Sequence, residues 1–344
     1  MEYSQIPLVL SLAFIVAGLA ALAWSSDLFV GGAASLARVL GVSPFVVGMV
    51  VIGFGTSAPE LCVSVMSGLY GHSNLSLGNA YGSCSFNIAV ILGVAALIRP
   101  LSVRPSVALV AGPGLAAVAL FSAWLLRDGS CTRYEASVLL AAFLVVMPLY
   151  CWFDRRTKSS SSSSGDADAR PDATSPSVAV AAFQVLLGLV VLIGSSHFLV
   201  WGSVSFARFI GVSDLVIGLT VVAVGTSLPE LASAIAAARR GENEFVLGNI
   251  IGSNLFNTLA VVGLATVIGP LAPGADGKPP FSPYVLSRDL PVMAVLSMTI
   301  LLFGLNWRRP SDGGTIGRWK GVVWLAAAAA YTALMLFQEL GWSR

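Results

Sequence analysis

Long apolar runs separated by short polar breaks fill this chain. A helix needs about 20 apolar residues to cross a bilayer. Ten runs of that kind can be read, over 8–37, 44–70, 74–98, 105–126, 134–152, 178–207, 214–238, 245–269, 286–306 and 319–340. The polar positions inside them are few, and they recur. Gly55-Thr56-Ser57-Ala58-Pro59-Glu60 lies in the second run, and Gly225-Thr226-Ser227-Leu228-Pro229-Glu230 lies in the seventh. The offset of 170 (230 − 60) also aligns Gly78–Asn87 with Gly248–Asn257. Written without gaps, Ser25–Leu101 and Ser195–Leu271 agree at 32 of 77 positions, which marks an internal repeat.

Five runs in each half is an odd number, so equivalent helices must cross the membrane in opposite directions. The pattern therefore predicts an all-α membrane protein of ten transmembrane helices, arranged as two inverted five-helix repeats with broken helices at the centre. Its expected units are residues 1–153, a linker over 154–177, and residues 178–344. The linker holds six consecutive serines, Ser159–Ser164, then Gly, Asp, Arg and Pro, and cannot bury a core, so it is expected to be disordered. With the N-terminus outside, the cytoplasmic segments hold 13 Lys and Arg residues and the other side holds 6. The positive-inside rule then places both termini outside and the linker in the cytoplasm, in a multi-pass protein of the cell (plasma or inner) membrane. The first run is read as a helix and not as a cleaved leader. Met1–Pro7 carries a glutamate and no basic residue, and Leu8–Ala37 has a counterpart in the second half.

Composition narrows the class. Of 344 residues 56% are apolar and only 10% charged, with mean hydropathy +0.85, against about 25% charged in soluble domains. The net charge of +2 comes with no basic stripe and interleaved aromatics, which sets nucleic acid aside. Cys62, Cys84, Cys131 and Cys151 lie far apart without metal-ligand spacing and read as apolar fillers; His72 and His197 make no ligand pair.

Glu60 and Glu230 change the picture most. A lone charge in mid-membrane costs roughly 3 kcal/mol or more, and no lysine or arginine lies within either motif. Each glutamate follows a proline, which breaks the helix and frees carbonyls of the preceding turn; those near Gly53 and Ala223 are the expected ones. Thr56, Ser57, Thr226 and Ser227 add hydroxyl oxygens. Ser83 and Asn87, like Ser253 and Asn257, are four apart and share a helix face, where neutral oxygens would complete the coordination. The result is an all-oxygen site for a hard cation, Na⁺ or Ca²⁺. Broken helices at matching positions of inverted halves are the mark of a secondary transporter's binding site. Asp27, in the first run, reads as structural or surface-lining.

These stretches resemble the α-repeats of the sodium/calcium exchanger family, the cation/Ca²⁺ antiporters, in a prokaryotic-type form with two repeats. The resemblance covers about Ser25–Leu101 and Ser195–Leu271. It implies an antiporter with an inverted five-plus-five fold, in which Ca²⁺ and Na⁺ compete for sites at the centre of the two repeats. Carried over by position, it points to Glu60, Glu230, Thr56, Thr226, Ser57, Ser227, Ser83, Ser253, Asn87 and Asn257. It further implies that the first and sixth helices slide against the core. Cys84 stands where the second copy has Asn254. Asn257 stands where several members, including potassium-dependent ones, carry aspartate; the missing charge argues against potassium coupling and leaves two acidic ligands.

The expected activity is exchange of Ca²⁺ for Na⁺ by alternating access, with the ions as cargo, no cofactor, the lipid bilayer as surroundings and a monomer sufficient. The alternative keeps the fold and returns protons, as a Ca²⁺/H⁺ or other cation/H⁺ antiporter with the glutamates protonated on the return step. A passive channel is a further option. From another class, an intramembrane hydrolase would use Ser57 or Ser227 as nucleophile and needs a base beside it; His72 lies about four helical turns on, and its counterpart is Glu242.

Overall fold

The computed structural model describes residues 6–161, 177–210, 223–271 and 280–339. The apolar runs fold as helices because in lipid every backbone polar group must be satisfied within its own segment. Helix α1, Leu8–Leu40, ends at Gly41, which takes the left-handed conformation (φ +62°) that closes a helix end. Helix α2, Pro44–Thr56, is started by the Ser43 hydroxyl, which accepts the Val46 N–H at 3.3 Å. It breaks at Ser57, and α3, Ala58–Leu69, leaves at an angle of 46°. Helix α4, Ser73–Ile98, follows, then the short strand β1, Leu101–Val103, helix α5, Pro105–Leu125, and helix α6, Arg133–Ser161.

The second half repeats this order. Helix α7 is Val178–Phe209, α8 Ala223–Thr226, α9 Leu228–Arg240 and α10 Asn243–Ile268. Then come α11, Val285–Gly304, strand β2, Gly314–Ile316, and α12, Arg318–Glu339. Ser227 breaks the path between α8 and α9 as Ser57 does between α2 and α3, with nearly the same backbone angles (φ −90°, ψ 9° against φ −80°, ψ 7°). Strands β1 and β2 pair antiparallel, with Leu101 opposite Ile316, and so tie the two halves together.

Among the described residues seven helices are long and apolar enough to cross a membrane, or eight if the bent pair α2 and α3 counts as one broken span. Helices also occupy the expected seventh and tenth runs, as α8–α9 and α12; residues 214–222 of the seventh lie outside the described residues. Helix α6 carries on to Ser161, past the expected start of the linker at Asp154, because Asp154 is buried and held by Arg104. At the other end Ser177 caps α7, its hydroxyl accepting the Val180 N–H at 3.3 Å. The remainder of the expected linker, 162–176, lies outside the described residues.

Burial separates centre from rim. In α10 and α4, 89% and 67% of the apolar window is buried, against 22% in α1 and 28% in α7. Helices α4 and α10 are therefore the core, while α1 and α7 pack along each other at the edge. That edge contact needs glycine: a Cβ on Gly188 would sit 2.7 Å from the Phe29 backbone nitrogen. In the core, a Cβ on Gly252 would collide with the Met49 carbonyl, so α10 and α2 touch backbone to backbone. Each core helix also contains a π-turn, Asn87–Leu92 in α4 and Phe256–Val261 in α10, a local widening of the helix that is frequent at functional sites.

The two core helices meet at equivalent positions. Asn254 donates to the Cys84 carbonyl at 3.3 Å, and the Cys84 thiol lies 3.7 Å from the Asn254 carbonyl. Residues 84 and 254 differ by the repeat offset, so this reciprocal pair sits where an axis relating the halves would pass. Asp27 pairs with Arg240 at the end of α9 (3.7 Å), and the Arg240 guanidinium also donates to the Asp27 carbonyl at 2.9 Å.

Candidate cation site

Proline at position 59 and again at 229 falls in the first turn of α3 and α9, where its missing N–H is no loss. The next residue, Glu60 or Glu230, then points from a first helical turn, where the positive end of the helix dipole favours a carboxylate. Both glutamates have 0% exposure. Among the described residues neither forms an ion pair with Lys, Arg or His.

Their nearest hydroxyl partners come from the opposite half. Ser57 donates to Glu230 Oε1 at 2.9 Å, and Ser227 donates to Glu60 Oε1 at 2.8 Å. Each broken helix thus supplies a serine to the other half's glutamate. Ser83, on α4, reaches the same Glu60 oxygen at 3.4 Å and lies 3.2 Å from the Ser227 hydroxyl. Ser253, its counterpart on α10, donates instead to the Gly53 carbonyl at 3.1 Å. That carbonyl is not free, since it also accepts the Ser57 N–H at 3.3 Å. At the second break the Ser227 N–H bonds to the Val224 carbonyl, three residues back, at 3.1 Å.

The threonines reach across as well. Thr56 donates to the Ile52 carbonyl at 2.9 Å and lies 3.4 Å from Asn249 Oδ1. Thr226 lies 3.4 Å from Asn79 Oδ1. Asn79 donates to the Glu60 carbonyl at 3.0 Å and to Ser64 at 2.9 Å. Asn249 donates to Ser233 at 3.1 Å, and Ser233 donates to the Glu230 carbonyl at 2.9 Å. Sequence reasoning passed over both asparagines, although Asn79 and Asn249 stand one residue after the aligned Gly78 and Gly248. Their presence in both copies was the available signal.

Asn87 and Asn257 are fully buried but make no hydrogen bond to either glutamate. Asn87 donates to Asn254 Oδ1 at 3.1 Å. Among the described residues neither amide atom of Asn257 has a partner, and Asn87 Oδ1, Glu60 Oε2 and Glu230 Oε2 are likewise buried and unpartnered. A buried ionised oxygen without a partner is strongly disfavoured. Two of them, among hydroxyl and amide oxygens and without a basic side chain, form an environment that a hard cation stabilises. Calcium takes six to eight oxygens at about 2.3–2.6 Å in flexible geometry; one Ca²⁺ would neutralise the formal charge of two carboxylates.

The chain has relatives along nearly its whole length. Residues 10–152 and 180–337 match the family described as sodium/calcium exchanger protein. The inner membrane protein YrbG of Escherichia coli is 35% identical over 93% of this chain and 97% of its own length. The sodium/calcium exchanger MaX1 of Methanosarcina acetivorans is 30% identical over 96% and 97%. Among solved structures, the sodium-calcium exchanger NCX_Mj soaked with zero Na⁺ and Ca²⁺ superposes with a TM-score of 0.78 at 29% identity, covering 95% of this chain and 99% of that one. The same exchanger soaked with Na⁺ and Sr²⁺ gives 0.76. Matched along nearly its whole length, this chain belongs to the sodium/calcium exchanger family of membrane ion exchangers.

Proposed function

We propose that this protein exchanges Ca²⁺ for Na⁺ across the cell membrane by alternating access, through one site shared by Glu60 and Glu230. The observation that carries the reading is the reciprocal link of Ser57 to Glu230 and Ser227 to Glu60, with one buried oxygen of each carboxylate left unpartnered. A single Ca²⁺ balances both charges. Several Na⁺ can replace it by spreading over Thr56, Ser57, Ser83, Thr226, Ser227, Ser253 and the carbonyls near Gly53 and Ala223, the Gly53 carbonyl exchanging its Ser253 bond for the ion, with Asn87 and Asn257 at the margin. A site emptied of cations leaves two bare charges at low dielectric, so the empty carrier switches poorly and exchange is obligatory. No cofactor is needed, and one chain suffices within the bilayer.

The architecture that fits is ten spans in two inverted halves, 1–153 and 178–344, with both termini outside and the linker in the cytoplasm. The Cys84–Asn254 contact between equivalent positions supports such an arrangement.

The test is ⁴⁵Ca²⁺ uptake into proteoliposomes under imposed Na⁺, K⁺ or H⁺ gradients. Uptake driven by a Na⁺ gradient at constant pH is the expected result. Uptake driven by a pH gradient alone makes the protein a Ca²⁺/H⁺ antiporter. Flux without any counter-ion makes it a channel.

A further inference from the structure

We propose that Asn79 and Asn249 are positioning residues that fix the separation of the two half-sites and so set the cation radius the site prefers. This inference rests on the cation-exchange reading.

Each amide uses both of its ends. The nitrogen end holds the glutamate-bearing helix of its own half: Asn79 binds the Glu60 carbonyl directly, at 3.0 Å, and Asn249 binds that of Glu230 through Ser233. The oxygen end lies 3.4 Å from the other half's threonine, Thr226 for Asn79 and Thr56 for Asn249. The two residues are related by the repeat offset of 170 (249 − 79), so they act as a matched pair of crossbars. Each spans from a Pro-Glu turn in one half to the Thr-Ser break in the other.

The nitrogen end of neither amide can ligate a cation. An NH₂ group carries no lone pair for a metal, and each Oδ1 faces a threonine hydroxyl of the other half at 3.4 Å. Both residues therefore act through others. What they control is the distance between the Glu60 and Glu230 turns, and thus the size and rigidity of the oxygen cage. Selectivity among hard cations depends on cavity size, ligand number and flexibility. An amide also does not titrate, so this control holds at every pH, unlike a carboxylate in the same place.

The experiment measures initial rates of Ca²⁺, Sr²⁺ and Ba²⁺ exchange in proteoliposomes for the wild type and for Asn79→Ala, Asn249→Ala, Asn79→Gln and Asn249→Gln. The glutamine variants keep the amide and lengthen the crossbar by one methylene, so they provide the comparison where an alanine variant does not elute as a monodisperse species. The expected result is a fall of about fivefold or more in the Ca²⁺ to Ba²⁺ rate ratio, the factor that one lost net hydrogen bond represents. The apparent KM for Ca²⁺ should rise more than the maximal rate falls. A wild type without cation exchange would remove the underlying functional reading. A wild type that exchanges, with variants that slow all three ions by the same factor, would overturn the positioning role alone.

Discussion

Ser227 donates a hydrogen bond to Glu60 at 2.8 Å although the two stand in opposite halves of the chain, 167 residues apart. The reverse bond, Ser57 to Glu230, has nearly the same length at 2.9 Å. Each glutamate is thus held by the other half's helix break, and a movement of one half disturbs both carboxylates together. Charge-assisted bonds of this kind are worth about 1.5–3 kcal/mol. Ser57→Ala and Ser227→Ala should each lower apparent Ca²⁺ affinity roughly tenfold or more, with folding near normal. Titration of uptake against external Ca²⁺ measures it, and unchanged affinity in both variants would mean the serines do not shape the site.

Loss of either charge should be more severe. Glu60→Gln and Glu230→Gln keep the side-chain shape and remove one formal charge, so Ca²⁺ meets a site of net −1. Neither glutamate has a basic neighbour among the described residues to make up the difference. Calcium exchange should be abolished in each variant while the protein still purifies as a single species. Near-normal ⁴⁵Ca²⁺ uptake by either would remove the central claim.

Much of this site was legible because the repeat wrote it twice. A single Gly-Thr-Ser-x-Pro-Glu stretch says little, whereas two copies at a constant offset place a carboxylate, two hydroxyls and a helix break at matching depths. What stayed hidden was pairing at a distance. Nothing in Gly78-Asn79 announces a bond to Thr226, since within one helix an asparagine beside glycine reads as a surface or packing residue. The expectation that the Gly53 carbonyl is freed failed to foresee Ser253, which occupies it from the other half. The departure of Cys84 from Asn254 was visible, but not that these two positions touch. The helical end of α6 was missed because charged and serine residues look like linker until Arg104 is seen to bury Asp154.

That arginine ties three elements. It pairs with Asp154 of α6 at 2.6 Å and with Glu244 of α10 at 2.8 Å, and its guanidinium lies over the Phe45 ring of α2. Removing it leaves Asp154, only 3% exposed, without its cation. Breaking a buried pair in this way costs about 3 kcal/mol, so Arg104→Ala should lower the thermal midpoint in detergent by roughly 5 °C or more. Arg104→Lys, which keeps the charge but not the fork that reaches both carboxylates, should fall between. An unchanged midpoint for Arg104→Ala would show that the network does not stabilise the fold.

Sidedness has its own test. In a cysteine-free background, a cysteine at Ser162, Ser163 or Ser164 should react with impermeant thiol reagents only from the cytoplasmic face. Labelling from outside in intact cells would invert the proposed orientation and leave the site unchanged.

Asn257 and Asn87 are equivalent in sequence, and a third charge at either would be expected to act alike. The structure separates them. Among the described residues Asn257 makes no hydrogen bond with either amide atom, so Asn257→Asp breaks none there. Asn87 donates to Asn254 Oδ1 at 3.1 Å. An aspartate there would set oxygen against oxygen, and turning Asn254 to relieve this would give up its bond to the Cys84 carbonyl. Asn87→Asp should therefore reduce the yield of folded protein as well as transport. Asn257→Asp should fold and show the electrostatic effect cleanly. Two unit charges ~4 Å apart interact by about 4 kcal/mol at an effective dielectric near 20, before desolvation is subtracted. A site of net −3 then holds Ca²⁺ more tightly, releases it slowly and still carries a charge that one Ca²⁺ does not balance. Exchange should be slow at high pH and partly restored as pH falls, when a proton fills the third charge, or should gain a response to K⁺. The checks are Ca²⁺ affinity and exchange rate between pH 6 and 9, with and without K⁺. If Asn257→Asp folds and none of the three responses changes, Asn257 does not line the cation site, which then closes around the two Gly-Thr-Ser-x-Pro-Glu stretches and Ser83.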